Sequence, residues 1–101
     1  MPQPLTSKQR AYLRGLGHKL KPLAHVGREG VTKTLLDSIR QVLSTHELIK
    51  VRVRDSAPEG PRGGAEAIAA AIDGAVVVQA VGYTALVYRP HPDNPEIRLP
   101  N

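Results

Sequence analysis

Cysteine is absent from this chain, and so are phenylalanine and tryptophan. The first absence excludes disulfides, thiol catalysis and cysteine-ligated zinc, and suits a reducing compartment such as the cytoplasm. The second leaves Tyr12, Tyr83 and Tyr88 as the only aromatics. A core must then be made from Leu, Ile, Val and Ala, and an aromatic platform for stacking bases has little to draw on. No apolar run approaches the ~20 residues of a membrane span, and the N-terminus lacks the apolar stretch of a secretory signal. No membrane partner is expected. Acidic residues are scarce too, and their placement is uneven: none occurs before Glu29. Residues 1–54 carry a formal charge of +8 and residues 55–101 one of −3, which makes the +5 of the whole chain. Such asymmetry reads as one basic face directed at a polyanion.

What is present is enough for one small domain. A chain of 101 residues has room for a single core. That core is expected over about 5–90, with an extended proline-bearing tail at 91–101. Residues 1–5 read as a frayed lead-in. Thr6 and Gln9 match a capping box, so a helix should follow to about residue 18. Leu13, Leu16 and Leu20 give it an apolar edge. Arg10, Arg14 and His18 recur every fourth residue and share one face. Gly15 and Gly17 suggest fraying before Lys19. Lys19 and Lys21 lead to Pro22, which stops the helix and favours an extended entry to a first strand over 23–26.

A second helix is expected over 32–45, with Thr32 as its cap and Leu35, Leu36, Ile39, Val42 and Leu43 as its buried stripe. The second strand, 48–54, has the cleanest alternation. Ile49, Val51 and Val53 form one face, and Lys50, Arg52 and Arg54 form the other. Asp55 to Gly64, rich in Pro and Gly, reads as a mobile loop. A short helix over 65–72, a nearly all-apolar and central strand over 75–81, a Gly82-Tyr83 hairpin turn and a last strand over 84–89 complete the pattern. The order α-β-α-β-α-β-β gives an α/β fold: an open two-layer sandwich on a four-stranded mixed sheet.

The chemistry of the chain concentrates at Gly27-Arg28-Glu29-Gly30, between the first strand and the second helix. Glycines permit close backbone approach. The first N–H groups of a helix lack internal partners and carry partial positive charge, so they favour phosphate. The stretch reads equally as a tight turn or as a backbone cradle for nucleic-acid phosphate, with Arg28 adding a charged contact and Glu29 opposing it. The four histidines, His18, His25, His46 and His91, show no metal-ligand spacing. No serine lies in a catalytic context, and no carboxylates pair for acid–base work. No metal, cofactor or small-molecule substrate is expected, and the chain reads as a non-enzyme.

Several ordered stretches resemble one family. They are 5–10 (LTSKQR), Leu13-Arg14, 18–22 (HKLKP), 26–30 (VGREG), 46–51 (HELIKV), Val81-Gly82, Tyr88-Arg89-Pro90 and 94–100 (NPEIRLP). Together they resemble the CRM domain (chloroplast RNA splicing and ribosome maturation) in its stand-alone bacterial form. The resemblance implies an RNA-binding module with a KH-like glycine loop, and a fold like the C-terminal domain of translation initiation factor three. It also implies association with ribosomal RNA in precursors of the large ribosomal subunit. Gly27, Arg28, Glu29, Gly30, Arg10, Arg14, Lys19, Lys21, Lys50, Arg52 and Arg54 are the expected RNA-binding residues of a cytoplasmic monomer. Two features depart from the family: Glu29 within the loop, and the Pro/Gly-rich stretch over 55–64. The other reading is a protein–protein adaptor that docks on a ribosomal protein or assembly factor, with its basic charge incidental.

Overall fold

The computed structural model describes residues 5–100, so residues 1–4 of the expected lead-in and Asn101 of the tail lie outside it. Seven elements follow in order: α1 (Ser7–Gly17), β1 (Pro22–Val26), α2 (Lys33–Leu43), β2 (Leu48–Val53), α3 (Gly60–Ala71), β3 (Val76–Val81) and β4 (Thr84–Tyr88). Their starts follow from local chemistry. The Thr6 hydroxyl accepts from Gln9 N–H at 3.1 Å, while the Gln9 side chain accepts from Thr6 N–H at 3.0 Å, closing the capping box. Thr32 caps α2 through Leu35 N–H at 3.1 Å.

The four strands form one mixed sheet in the order β1-β2-β4-β3. β1 runs parallel to β2 across the α2 connection, and β4 is antiparallel to both β2 and β3. The expected central place for β3 is therefore corrected: β3 is an edge strand. Its hairpin partner β4 turns back into the gap beside β2. The apolar run of β3 instead reflects helices on both of its faces. Its edge is blunted near Val78, where the register slips, by the Arg10 guanidinium, which donates to Val77 C=O at 2.9 Å and Val78 C=O at 3.0 Å.

One face of the sheet carries the main core. Val26, Ile49, Val51, Val53 and Val87 meet Ile39 and Leu43 of α2 and Ile68 of α3. α1 lies on the other face, where Leu13 packs with Leu48, Val78, Leu86 and Tyr88. The α/β order and mixed sheet stand as expected, and α1 adds a partial third layer to the expected two, through Leu13 packed on the face opposite α2 and α3. α1 ends at Gly17, before Lys19 as expected, and Gly17 has a packing role as well. It is buried, and a Cβ there would lie 2.6 Å from Leu86 Cδ1, so its bare backbone lets α1 settle on the sheet.

α3 starts at Gly60, inside the stretch expected to be loop. Pro61 sits in the first turn, where its missing N–H costs nothing and its fixed φ suits a helix. The tail returns to the body through Glu47, the one buried charged residue among those described. Its carboxylate accepts from the backbone N–H of His91 at 2.6 Å, Glu96 at 2.7 Å and Ile97 at 2.7 Å. Burial pushes its pKa up, but the three N–H donors outweigh burial and hold it below the usual glutamate value. Ile97 and Leu99 then pack beside Leu13 and Tyr88. α1 and the tail therefore cover this face from the Leu48–Tyr88 end as far as Leu86, beside a half-buried Lys50, and the end bearing Arg52 stays open.

Candidate nucleic-acid interface

The open end of the sheet follows directly from strand alternation. β2 turns Ile49, Val51 and Val53 into the core, which leaves Arg52 exposed and Lys50 half-buried on the far side. β1 does the same, burying Ala24 and Val26 and exposing Leu23 and His25. Register then sets neighbours: His25 stands opposite Arg52, and Arg52 opposite Thr84. Three depressions follow one another across this region. The first, about 180 Å³, lies between the end of α1 and the sheet and includes Arg14, His18, Lys50, Gln79 and Thr84. The second, about 510 Å³, holds His25, Arg52, Arg54, Asp55, Ser56 and Tyr83. The third, about 270 Å³, is the glycine loop itself with His25, Thr32 and Leu35. His25 belongs to both the second and the third, so the loop and the cationic strand form one surface.

The loop is a tight turn in which Gly30 N–H donates to Gly27 C=O at 2.9 Å. Gly30 has φ +76°, in the left-handed region that favours glycine. Arg28 and Glu29 project from it, both exposed. The segment over 55–64 contributes what its sequence did not announce. The Glu59 carboxylate accepts from Val31 N–H at 3.2 Å, and a Cβ on Gly30 would come within 2.6 Å of both its oxygens. A carboxylate of the chain itself thus lies against the Val31 amide that leads into α2.

The expected cations do not all have equal freedom. Arg28, Arg14, Lys19, Lys21, Arg52 and Arg54 are exposed. Among the described residues the ion pairs are Arg40–Asp37 and Arg62–Glu66, so none of the expected RNA-binding cations is neutralised by a carboxylate partner. Arg10 differs: two carbonyls of β3 hold its guanidinium, which straps α1 to the sheet. Lys19 and Lys21 lie on the connection from α1 to β1 and line none of the three depressions. Sequence reading missed His25, Thr84, Gln79, Tyr83 and Glu59. The alternation of β1 could have flagged His25, but the other four depend on where β4 inserts and how α3 begins. No group of three or more His, Asp or Glu gathers as a metal site among the described residues.

A known family shares this arrangement. The model of the CRS1/YhbY (CRM) domain matches residues 5–89. The chain belongs to that family. This CRM domain is 35% identical over 96 residues to the "Probable RNA-binding protein YqeI" of Bacillus subtilis, covering 95% of this chain and 99% of that one. It is 36% identical to an "RNA-binding protein" of Haemophilus influenzae, covering 95% of each. The solution structure of the hypothetical protein SAV1595 from Staphylococcus aureus, described as an RNA-binding candidate, superposes with a TM-score of 0.79 at 34% identity. It covers 96% of this chain and 100% of that one. The glycine loop, β1, β2 and the open sheet end all fall inside the matched region. No helix among the described residues is long and apolar enough to cross a membrane.

Proposed function

We propose that this CRM domain is a non-enzymatic RNA-binding protein that associates with ribosomal RNA during assembly of the large ribosomal subunit, as a cytoplasmic monomer. The observation that carries this reading is the continuous surface from the glycine loop through His25 to Arg52, Arg54, Lys50 and Arg14, where these cations and Arg28 outnumber the carboxylates Glu29, Asp55 and Glu59 and none of them forms an ion pair among the described residues. The relatives' names support RNA as the ligand, and the CRM resemblance supports the ribosomal setting. The backbone N–H groups of Arg28 and Glu29 and the Arg28 side chain hold phosphate, with Gly27 and Gly30 giving the turn its close approach, since Gly30 N–H is engaged by Gly27 C=O and Val31 N–H by Glu59. Lys50, Arg52, Arg54 and Arg14 extend the attraction, Lys19 and Lys21 add to the field, and Arg10 keeps α1 in place beside them. Glu29 leaves the loop itself without net charge, so flanking cations supply most of the attraction.

Phosphate neutralisation releases counterions, so affinity for ribosomal RNA should fall steeply with salt. Titration of the purified chain with ribosomal RNA across a salt series tests this, and a salt-independent affinity overturns it. Arg28→Glu should weaken binding while the fold survives. A second reading draws on one feature, the depression beside Leu16, Leu20, Leu48 and Ile97, which suits a protein partner better than RNA. Nuclease treatment separates the two: an adaptor stays with assembly particles after accessible RNA is removed, and an RNA-bound chain is released.

A further inference from the structure

The middle depression differs chemically from the loop beside it. Phosphate contacts alone would be served by cations, yet here Arg52 and Arg54 share the site with the Asp55 carboxylate, the Ser56 hydroxyl and the Tyr83 side chain. A carboxylate repels phosphate but accepts hydrogen bonds from the amino and imino groups on a base edge. An aromatic ring offers a stacking face to any base, and guanidinium planes do the same. Tyr83 has the exposure this needs, at 55%, and sits on a fixed support because its backbone C=O accepts from Val53 N–H at 2.7 Å. By contrast Tyr88 is buried in the core.

We propose that the cleft of His25, Arg52, Arg54, Asp55, Ser56 and Tyr83 binds an unpaired nucleobase of the RNA strand whose backbone lies on the glycine loop. The proposal rests on the RNA-binding reading above and sharpens it: the ligand is single-stranded or looped-out RNA at this point, not continuous duplex. The cleft, at about 510 Å³, falls in the range of small-ligand sites. His25 lines both the cleft and the loop, so one strand can engage both without leaving the surface.

The test uses the full chain with a short single-stranded oligoadenylate, its abasic counterpart of equal length, and a duplex RNA. The wild type should prefer the base-bearing strand. Tyr83→Ala should lose about tenfold on that strand, the scale of one stacked base, while Tyr83→Phe keeps wild-type affinity. The abasic strand should bind Tyr83→Ala and wild type alike, and the salt dependence of Tyr83→Ala should be unchanged. Tyr83→Leu, which keeps bulk without an aromatic face, gives the same reading if the alanine variant unfolds early. Equal affinity of wild type and Tyr83→Ala overturns the proposal, as does an equal loss on base-bearing and abasic strands. A wild type that binds none of the three RNAs at low salt overturns the RNA reading itself, a different result from either.

Discussion

The carboxylate of Glu47 accepts the backbone N–H of Ile97 at 2.7 Å, across 50 residues of chain. With His91 and Glu96 donating to the same group, this one side chain fixes the tail that brings Ile97 and Leu99 onto the α1 face. The tail in turn helps hold α1, since Gln9 donates to Pro100 C=O at 3.1 Å. A buried acid thus anchors the tail segment that helps cover the α1 face of the sheet.

Acid should loosen this clasp. The folded-state pKa of Glu47 lies below its ordinary value, so the ionised form stabilises the fold at pH values above the unfolded pKa, near ~4.3. That contribution is lost as pH falls through the lowered folded value. Glu47→Gln should therefore lower stability at neutral pH by about 1.5–3 kcal/mol, the scale of hydrogen bonds to a charged group. The deficit should shrink below pH ~4. Denaturant melts of both proteins from neutral to acid pH check this, and parallel pH profiles would count against it.

Gly15 and Gly17 should answer alanine in opposite senses. A Cβ at Gly15 meets nothing within 4 Å. Gly15→Ala should stabilise α1 by about 0.5–1 kcal/mol. A Cβ at Gly17 meets Leu86 Cδ1 at 2.6 Å and Cδ2 at 2.7 Å, inside a packed layer. Gly17→Ala should cost about 1–3 kcal/mol through overpacking. Thermal melts of the two variants give the signs directly, and a stabilised Gly17→Ala would mean that α1 does not bear on Leu86.

The glycine loop has an internal competitor in Glu59. Its carboxylate lies on the amide of Val31, so RNA phosphate approaching the start of α2 meets a negative charge already there. Glu59→Gln keeps an oxygen acceptor for Val31 and removes the charge. On the proposed function it should raise RNA affinity a few-fold at low salt, with little change in melting temperature. Gly30→Ala should act differently. The Glu59 side chain can swing aside, but φ +76° cannot be adopted by alanine without a cost of about 1–2 kcal/mol. Comparing RNA titrations and melts of the two variants separates charge from backbone strain. Unchanged affinity in Glu59→Gln would remove the loop amides from the ligand's path.

Much of this molecule was legible in its sequence where local rules suffice. The Thr6–Gln9 box, the α2 stripe and the alternation of β2 depend on residues within a few positions of one another, and each stands in the structure. The early start of α3 was hidden because Pro61 and its neighbouring glycines signal a break as readily as a first turn. The edge position of β3 was hidden because an apolar strand can be covered from both faces without being central. The role of Glu47 was invisible because its three donors lie 44 to 50 residues away. For the site, alternation alone put Lys50, Arg52 and Arg54 on one face, but their nearness to Arg14, Thr84 and Tyr83 is a product of sheet order.

That nearness gives the cationic row its sharpest consequence. Arg52 and Arg54 line the cleft beside Tyr83, while Lys50 and Arg14 line the depression toward α1. If each side chain neutralises one phosphate of a single strand, each removal should reduce the slope of log affinity against log salt by about 0.7. Lys50→Ala combined with Arg14→Ala should thus flatten the slope by roughly 1.4 and weaken binding at low salt more than at high salt. Neither residue has a carboxylate partner among the described residues, so the melting temperature should fall only slightly, through packing lost around the half-buried Lys50. Arg98→Ala, exposed on the tail and outside all three depressions, is the control and should leave the slope alone. If Arg98→Ala flattens the slope as much as the removal of Lys50 or Arg14, the attraction is a diffuse effect of net charge, and the strand does not follow the open end of the sheet.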